Sequence, residues 1–462
     1  MKKTYYSQKQ KQMILRFRKT SVVLFFLIMA AGTIIGALLF LRPEKSDKEK
    51  RKLTSFPSFT ISSFLDGSYL EDVALWYSDT FPGRDTLLTI DQTLKASYGI
   101  EPDVKMVGGN KKADQIPDSP QKKKTASSDA ITEALAEDKT EASTEDETLS
   151  EELVNPPDSK KMEQEIQKQV QDNLYVKNGA AYSIYYFNQE GCEMYASMLN
   201  EAAKKLSGIT NVYSVLVPDN SGVMLPEEEL KKLGGSDQVQ TIDYYYSLYD
   251  GVTGIDTIHT LREHQKEYLY YRTDHHWTSL AAYYVYENFC QEKGLTPNPL
   301  TAYEKKTYQP FLGTFYDTLH DSKMKENPDY VDAYLPMGTN KMKFRDAKGK
   351  NYDWYVVSDV SKSAENAKYW CFIGGDNPFS TIHNPNITDG SSCLVLKESY
   401  GNCFVPYLVD HYENVYVVDF RYADRNVLNY VKKNKVDDLI VINNISICSS
   451  PSVVKTIKSL LQ

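Results

Sequence analysis

The stretch Cys393-Leu-Val-Leu-Lys-Glu-Ser-Tyr-Gly-Asn402 indicates the fold of this 462-residue chain more directly than any other segment. Four apolar residues, which predict a buried strand, run straight into a tight turn that carries Ser399, and an apolar helical pattern follows. Two more short apolar runs come later, at residues 415–418 and 439–442, with a helical pattern between each pair. Short β-branched runs that alternate with helices predict an α/β fold, with a parallel sheet covered on both faces.

Apolar patterns also alternate upstream of this stretch. They predict strands over residues 181–187, 212–217 and 268–271, and helices over residues 193–205, 238–249 and 279–290. Thr278 directly precedes the last of these helices and is predicted to cap it. Residues 300–390 are less regular. In sheets of this kind, active sites gather at the carboxyl ends of the strands.

Ser399 lies at such a strand end, on a turn from strand to helix. The turn projects the hydroxyl from the sheet edge and leaves the following amides, beginning with Tyr400, free to hold an oxyanion. This arrangement suits a nucleophile that attacks an acyl carbon. A serine that only caps the helix would give the same local pattern. Asn443 ends the third apolar run, and its side-chain amide could also reach an oxyanion, although Asn is common at strand ends.

The segment Tyr271-Arg-Thr-Asp-His-His-Trp-Thr278 places two imidazoles beside a carboxylate. Imidazole is the side chain whose ordinary pKa lies nearest neutrality, and a neighbouring carboxylate can orient it and stabilise its cation. One of the two imidazoles is therefore a candidate general base, and Asp274 is a candidate for the carboxylate that orients it. The same Asp-His-His string would also suit metal ligation, so both interpretations stay open on this segment alone.

Residues 21–41 form an uninterrupted run of apolar or small residues, long enough to cross a bilayer as one helix. Seven Lys and Arg residues and no acid precede this run, which predicts a cytoplasmic N-terminus and an extracellular main domain. A cleaved signal peptide is the competing interpretation, because residues 30–32 are small. The apolar run continues to residue 41, however, which favours an uncleaved signal anchor.

Residues 111–160 are rich in acids and contain no aromatic residue, so they cannot bury enough surface to offset their conformational entropy. The net charge of −9 argues against nucleic acid as a partner. Six Cys residues without metal-like spacing leave open one or two disulfides or buried free thiols. The predicted organisation is a basic cytoplasmic tail (1–20), a transmembrane anchor (21–41), a juxtamembrane and N-terminal extracellular part (42–105), an acidic disordered insertion (106–165) and the main domain (166–462).

The octapeptide Tyr271–Thr278 and the hexapeptide Lys397-Glu-Ser-Tyr-Gly-Asn402 resemble the signature segments of the DHHW family of Gram-positive envelope proteins. Further matching segments are Phe81-Pro-Gly-Arg-Asp85, Leu216-Val-Pro218 and Val417-Val-Asp-Phe-Arg421. The resemblance spans about residues 50–105 and 170–450. That family is similar in turn to the periplasmic alginate O-acetyltransferases, whose domains are permuted relatives of SGNH esterases. The resemblance implies a permuted SGNH-hydrolase-like (flavodoxin-like) parallel sheet flanked by helices for residues 166–462.

Carried over position by position, the resemblance implies that Ser399 is the nucleophile, His276 the general base and Asp274 the residue that orients it. Arg421 and Asn443 are looser matches that would line the site, together with Tyr400. His275 fills the variable position of the Asp-x-His pattern and could compete for the role of base. No metal and no cofactor is implied.

The predicted function is acetyl or other acyl transfer to a cell-wall or exopolysaccharide hydroxyl outside the cell, or ester hydrolysis if water is the acceptor. Because no acetyl-CoA is expected outside the cell, the resemblance implies a multi-spanning membrane acyltransferase as the acyl donor. A non-catalytic glycan-binding or scaffold protein is one alternative. A metal-dependent DHH-type phosphoesterase is another, but such enzymes need further D-x-D carboxylates, which the ordered regions of this chain lack.

Overall fold

The computed structural model describes residues 19–27, 30, 42–43, 45–46, 51–65, 68–84, 86–87, 90, 104–108, 113–119, 158–171 and 173–462. The chain divides into two compact units, Met1–Glu101 and Pro102–Gln462. In the first unit the strands β1 (Lys45–Ser46) and β2 (Arg51–Lys52) pair antiparallel, and two helices follow, α1 (Ile61–Leu65) and α2 (Ser68–Asp79).

The second unit contains thirteen strands and thirteen α-helices within the described residues. Its strands are β3 (Val104–Val107), β4 (Leu174–Lys177), β5 (Ala180–Ser183), β6 (Asn211–Val217), β7 (Val252–Gly254), β8 (Glu304–Phe311), β9 (Asp329–Leu335), β10 (Lys341–Arg345), β11 (Asn351–Tyr355), β12 (Phe379–His383), β13 (Ser392–Lys397), β14 (Asn414–Asp419) and β15 (Asp438–Asn444). Its α-helices are α3 (Ser159–Gln171), α4 (Gln189–Lys205), α5 (Asn220–Met224), α6 (Glu227–Lys232), α7 (Gln238–Ser247), α8 (Ile258–Glu263), α9 (Ser279–Lys293), α10 (Thr314–Leu319), α11 (Ser322–Glu326), α12 (Val405–Leu408), α13 (Val427–Lys433), α14 (Ile445–Cys448) and α15 (Pro451–Leu460).

An eight-stranded sheet forms the centre of this unit, in the order β11-β10-β12-β14-β13-β15-β6-β7. The five strands from β14 to β7 are parallel, as predicted, whereas β12, β10 and β11 extend the sheet antiparallel. The prediction of a wholly parallel sheet is therefore wrong at one edge. The parallel strands β13 and β15 are completely buried, but residues of β10 and β11 are largely exposed, so their sequences lack the apolar runs that identified the others.

Helices cover both faces of the parallel part. Side chains alternate between the two faces along a strand. Tyr213 of β6 makes an edge-on ring contact with Phe289 of α9 on one face. On the other face, Asn443 of β15 accepts a hydrogen bond from Tyr195 of α4. The predicted helical cover is confirmed.

Two predicted strands differ from the structure. Residues 268–271 form no strand and share only a bridge between Tyr270 and Trp277. The chain turns back on itself there, with the Thr278 amide donating to the Leu269 carbonyl. The strand predicted over 181–187 ends at Ser183 and belongs to a small antiparallel sheet of β3, β4 and β5. The helix over 279–290 and its Thr278 cap are confirmed, since the Thr278 hydroxyl accepts from the Ala281 amide at 3.3 Å.

Two predicted segments lie largely outside the described residues. These are most of the apolar run 21–41 and most of the acidic segment 106–165. Within the ranges that the structure describes, no helix combines the length and the apolarity needed to span a bilayer. All six cysteines lie in described residues and are buried free thiols, which decides the alternative left open by the sequence.

Candidate active site

The loop before α9 carries the first half of the site. The Tyr271 amide donates to the His276 carbonyl at 3.3 Å, which closes residues 271–276 into a tight loop. Within it, the Asp274 Oδ1 atom accepts from the His276 amide at 2.9 Å and lies 2.6 Å from the His276 Nδ1 atom. A spacing of two residues thus suffices for the carboxylate to hold both the backbone and the ring of the histidine.

The second half of the site is the turn that follows β13. Ser399 begins a short 3-10 helix, Ser399–Gly401, at the carboxyl end of this central parallel strand. Its Oγ atom lies 2.8 Å from the His276 Nε2 atom. Trp277 links the two halves of the site, because its indole nitrogen donates a hydrogen bond to the Tyr400 carbonyl at 2.8 Å. The structure therefore brings together Ser399, His276 and Asp274 in an unbroken hydrogen-bonded chain.

Asp274 is nearly completely buried, and its second carboxylate oxygen is held by the start of α10. The Oδ2 atom accepts from the Thr314 amide at 2.8 Å and from the Thr314 hydroxyl at 3.1 Å. Burial opposes ionisation of this carboxyl, but His276, His275 and these hydrogen bonds outweigh it and hold the Asp274 pKa well below its usual range. A carboxylate in this position keeps the proton of the His276 ring on Nδ1 and leaves Nε2 as an acceptor.

His275 lies beside the chain rather than in it. Its Nδ1 atom lies 2.7 Å from the Thr314 hydroxyl, and its ring centroid lies 3.8 Å from that of His276. Burial, together with the nearby His276, lowers the pKa of His275 to about 3. A ring that stays neutral over the ordinary pH range and has no contact with Ser399 is poorly placed to act as the base.

Three residues around this chain were missed by sequence reasoning. Thr314 and its neighbour Gly313 belong to the irregular stretch, and a Cβ atom at Gly313 would lie 2.2 Å from the Asp274 side chain. Tyr369 stacks on His276 with ring centroids 4.0 Å apart, and its hydroxyl donates to the Ser399 carbonyl at 3.0 Å. No motif in the sequence signals these residues, because only the fold brings them to the site.

Glu398, a fourth residue that sequence reasoning missed, precedes Ser399 and is almost completely buried. Its Oε2 atom accepts from the Tyr400 amide at 2.9 Å and lies 3.2 Å from the Ser399 Oγ atom, while Oε1 accepts from the Asn444 amide at 2.9 Å. The Tyr400 amide, which the sequence predicted to be free for an oxyanion, is therefore engaged. The sequence places Glu398 directly before Ser399, but from the sequence alone its carboxylate has no evident role beyond capping the turn that follows.

The remaining predicted site residues have structural partners. Arg421 forms a fork on Asp419 (2.8 and 2.7 Å) and also pairs with Asp376 at 2.8 Å. Asn443 is fully buried, and its side-chain nitrogen lacks a hydrogen-bond partner in the described part of the chain. The Tyr400 hydroxyl donates to the His275 carbonyl. The charge of Arg421 nevertheless reaches the site, because it lowers the pKa of both Glu398 and His275.

Asp274, His275 and His276 also offer three metal-ligand atoms within 4.8 Å of one another. Two of the donor residues are already engaged in other ways, however. Both ring nitrogens of His276 face hydrogen-bond partners, and the Nδ1 atom of His275 faces Thr314. A metal ion would have to compete with these contacts for its ligands.

The chain thus has a mixed α/β fold in which a line of hydrogen bonds joins Ser399, after β13, to His276 and Asp274 in the loop before α9. The sequence model described as "DHHW protein" matches residues 49–418, so the chain belongs to the DHHW family and the prediction from the motifs is confirmed. None of the curated proteins compared with the chain matches it.

Three solved structures are similar to the chain to different degrees. A DHHW family protein from Eubacterium siraeum DSM 15702 is 27% identical, with a TM-score of 0.56 over 63% of this chain and 95% of that one. Bacillus cereus PatB1, solved with a sulfonyl adduct, is 18% identical, with a TM-score of 0.52 over 61% and 97%. The O-acetyltransferase domain of Pseudomonas putida AlgJ is 13% identical, with a TM-score of 0.31 over 59% and 91%. The first two show that the mixed α/β fold is shared.

Proposed function

We propose that this protein is an extracytoplasmic O-acyltransferase or esterase that acts on a cell-envelope polysaccharide through Ser399. The observation that carries the proposal is the position of His276, whose Nε2 atom lies 2.8 Å from the serine hydroxyl while Nδ1 lies 2.6 Å from the Asp274 carboxylate. This is the geometry in which an imidazole removes a hydroxyl proton as the nucleophile attacks.

In the first step the Ser399 oxygen bonds to the carbonyl carbon of an acyl donor, and the serine proton moves to the His276 Nε2 atom. Asp274 stabilises the imidazolium that forms and keeps the ring in place. Collapse of the tetrahedral intermediate breaks the bond to the leaving group, which takes the proton from His276. A sugar hydroxyl then repeats the sequence on the acyl-enzyme and leaves as the ester, whereas water in its place gives hydrolysis.

The wider setting belongs to the same proposal. Residues 21–41 would anchor the chain with its N-terminus in the cytoplasm and the site outside. A multi-spanning membrane acyltransferase would supply the acyl group, because a single helix is too little to export one. The permuted SGNH-hydrolase-like assignment is supported by the chain order, in which the Asp-x-His segment precedes the serine at the end of a parallel strand.

The test is hydrolysis of a chromogenic acetyl ester by the detergent-solubilised full-length chain. Ser399→Ala and His276→Ala are expected to reduce turnover by about 10⁴-fold or more, with no effect of chelators. Ser358→Ala is a matched control, because that buried hydroxyl lacks a hydrogen-bond partner among the described residues and contributes little. Turnover that persists in Ser399→Ala would refute the proposed nucleophile.

A metal-dependent phosphoesterase is a second candidate, favoured by the cluster of Asp274, His275 and His276. It predicts a different pattern in the same variants. Chelators would abolish activity, a divalent metal would restore it, and Ser399→Ala would leave it largely intact, because a metal-bound water rather than the serine would attack.

A further inference from the structure

The Ser399 hydroxyl has two acceptors and only one proton. It lies 2.8 Å from the His276 Nε2 atom and 3.2 Å from the Glu398 Oε2 atom. Because Asp274 is a carboxylate, the single proton of a neutral His276 ring sits on Nδ1, and Nε2 can only accept. If Glu398 were also ionised, one of the two short contacts of the hydroxyl would join two acceptors without a proton between them.

Helix capping alone does not account for Glu398. A cap needs one oxygen on one amide of the following turn, which the contact with the Tyr400 amide supplies. The same carboxyl also accepts from the Asn444 amide, at the end of the neighbouring strand β15, and contacts the nucleophile. Glu398 thus joins the serine turn to a second strand end at the point where the acyl group would bind.

We propose that Glu398 is a positioning residue for the nucleophile: as a neutral carboxyl it donates a hydrogen bond to the Ser399 oxygen and leaves the serine proton to His276. The inference rests on the proposed function, because it takes Ser399 as the nucleophile. During acylation the bond from Oγ to the acyl carbon forms, the serine proton moves to Nε2, and Glu398 keeps its own proton throughout.

The surroundings of Glu398 favour the neutral form. Burial raises its pKa, and the charges of Arg421 and His276 and the two amide hydrogen bonds only partly oppose this. The groups with which this carboxyl interacts electrostatically come from several elements and are His276, Tyr369, Tyr400, Cys403, Arg421 and Cys448.

Serine reactivity should therefore depend on pH. As pH rises through the pKa of Glu398, the carboxylate that forms competes for the serine proton and repels the negative charge that develops on the acyl oxygen. Reactivity is therefore expected to fall along an alkaline limb that belongs to Glu398.

The experiment follows sulfonylation of Ser399 in the full-length chain with phenylmethanesulfonyl fluoride, by mass spectrometry over a series of pH values. In this reaction the Oγ–S bond forms, fluoride leaves and His276 takes the proton. The wild type should show the alkaline limb, and Glu398→Gln, which retains a donor to Oγ, should lose this limb while staying within about tenfold of the maximal rate. An unchanged alkaline limb in Glu398→Gln overturns the proposal.

A matched control is Asp438→Asn, which removes another fully buried carboxylate from β15 at the opposite end of the sheet. This variant should keep the alkaline limb of the wild type. Infrared spectroscopy of the wild type tests the protonation state of Glu398 directly, because a protonated buried carboxyl has a carbonyl band that a carboxylate lacks. That band should vanish along the alkaline limb, and its absence at neutral pH overturns the inference. No labelling of the wild type at any pH would instead refute the proposed function.

Discussion

The Nε2 atom of His276 lies 2.8 Å from the Oγ atom of Ser399, although 123 positions separate the two residues in the chain. The histidine is fixed by the loop before α9 and the serine by the turn after β13, and the bond from Trp277 to the Tyr400 carbonyl joins them. The site is therefore assembled by tertiary packing. Substitutions that alter these contacts should affect activity before they affect the overall fold.

The two adjacent histidines should differ sharply in their effect on catalysis. His276→Ala removes the only imidazole in contact with Ser399, so kcat should fall by about 10⁴-fold or more. His275→Ala removes a ring that contacts Thr314 instead, and kcat should change by no more than about tenfold. Ester hydrolysis by the two variants measures this, and the reverse order of effects would assign the role of base to His275.

Asp274→Asn should preserve the loop but abolish most activity. The amide can still accept from the His276 backbone through its oxygen, but it no longer fixes the ring proton on Nδ1 or stabilises the imidazolium. We expect kcat to fall by about 10⁴-fold with KM little changed. Steady-state kinetics measures this split, and a loss confined to KM would indicate that Asp274 serves binding rather than proton transfer.

The sequence predicts the centre of the fold and the Asp274–His276 pair because both are encoded locally, whereas Ser399 is joined to this pair through the resemblance to the DHHW family. β13 and β15 are buried along their whole length and therefore appear as apolar runs, and Asp274 reaches His276 within one loop. The antiparallel edge and Thr314 could not be predicted. Half-exposed strands give no such run, and Thr314 lies 40 positions from the carboxylate that it holds.

Stability should fall with acidification because of His275. Its pKa is about 3 in the folded protein against roughly 6.5 in the unfolded chain, so the unfolded state binds the proton more tightly. The stabilisation is complete above pH ~6.5 and is lost as pH falls towards about 3, by up to about 1.4 kcal/mol per pH unit. His275→Gln should remove this contribution in urea unfolding at pH 7, 6, 5 and 4.

A substitution that removes no ionisable group provides the control for that measurement. Thr318 lies on the exposed part of α10, so Thr318→Ala should retain the wild-type dependence of the unfolding free energy on pH. Identical slopes in the wild type and His275→Gln would show that His275 does not account for the acid sensitivity.

Gly313→Ala tests how closely α10 approaches the carboxylate. The backbone at this position suits alanine, with φ near −89°, but the added methyl group would lie 2.2 Å from both the Cβ and Oδ2 atoms of Asp274. The resulting shift of Asp274 should lower kcat by about 10²-fold and the unfolding free energy by about 1–3 kcal/mol. Thr318→Ala, on an exposed part of the same helix, should have neither effect.

The pair of Asp419 and Lys397 should be important for stability rather than catalysis. Both side chains are buried, with Nζ 2.8 Å from Oδ2, and Arg421 forms its fork on the same carboxylate. Asp419→Asn removes the fully buried one of the two carboxylates that both cations contact and leaves them only Asp376, so the unfolding free energy should fall by up to about 3–5 kcal/mol. Asp332→Asn disrupts the exposed ion pair with Lys305 and should cost about 1 kcal/mol or less. Urea denaturation measures both, and equal costs would mean that water reaches the Asp419 pair and screens its charges as it does those of the surface pair.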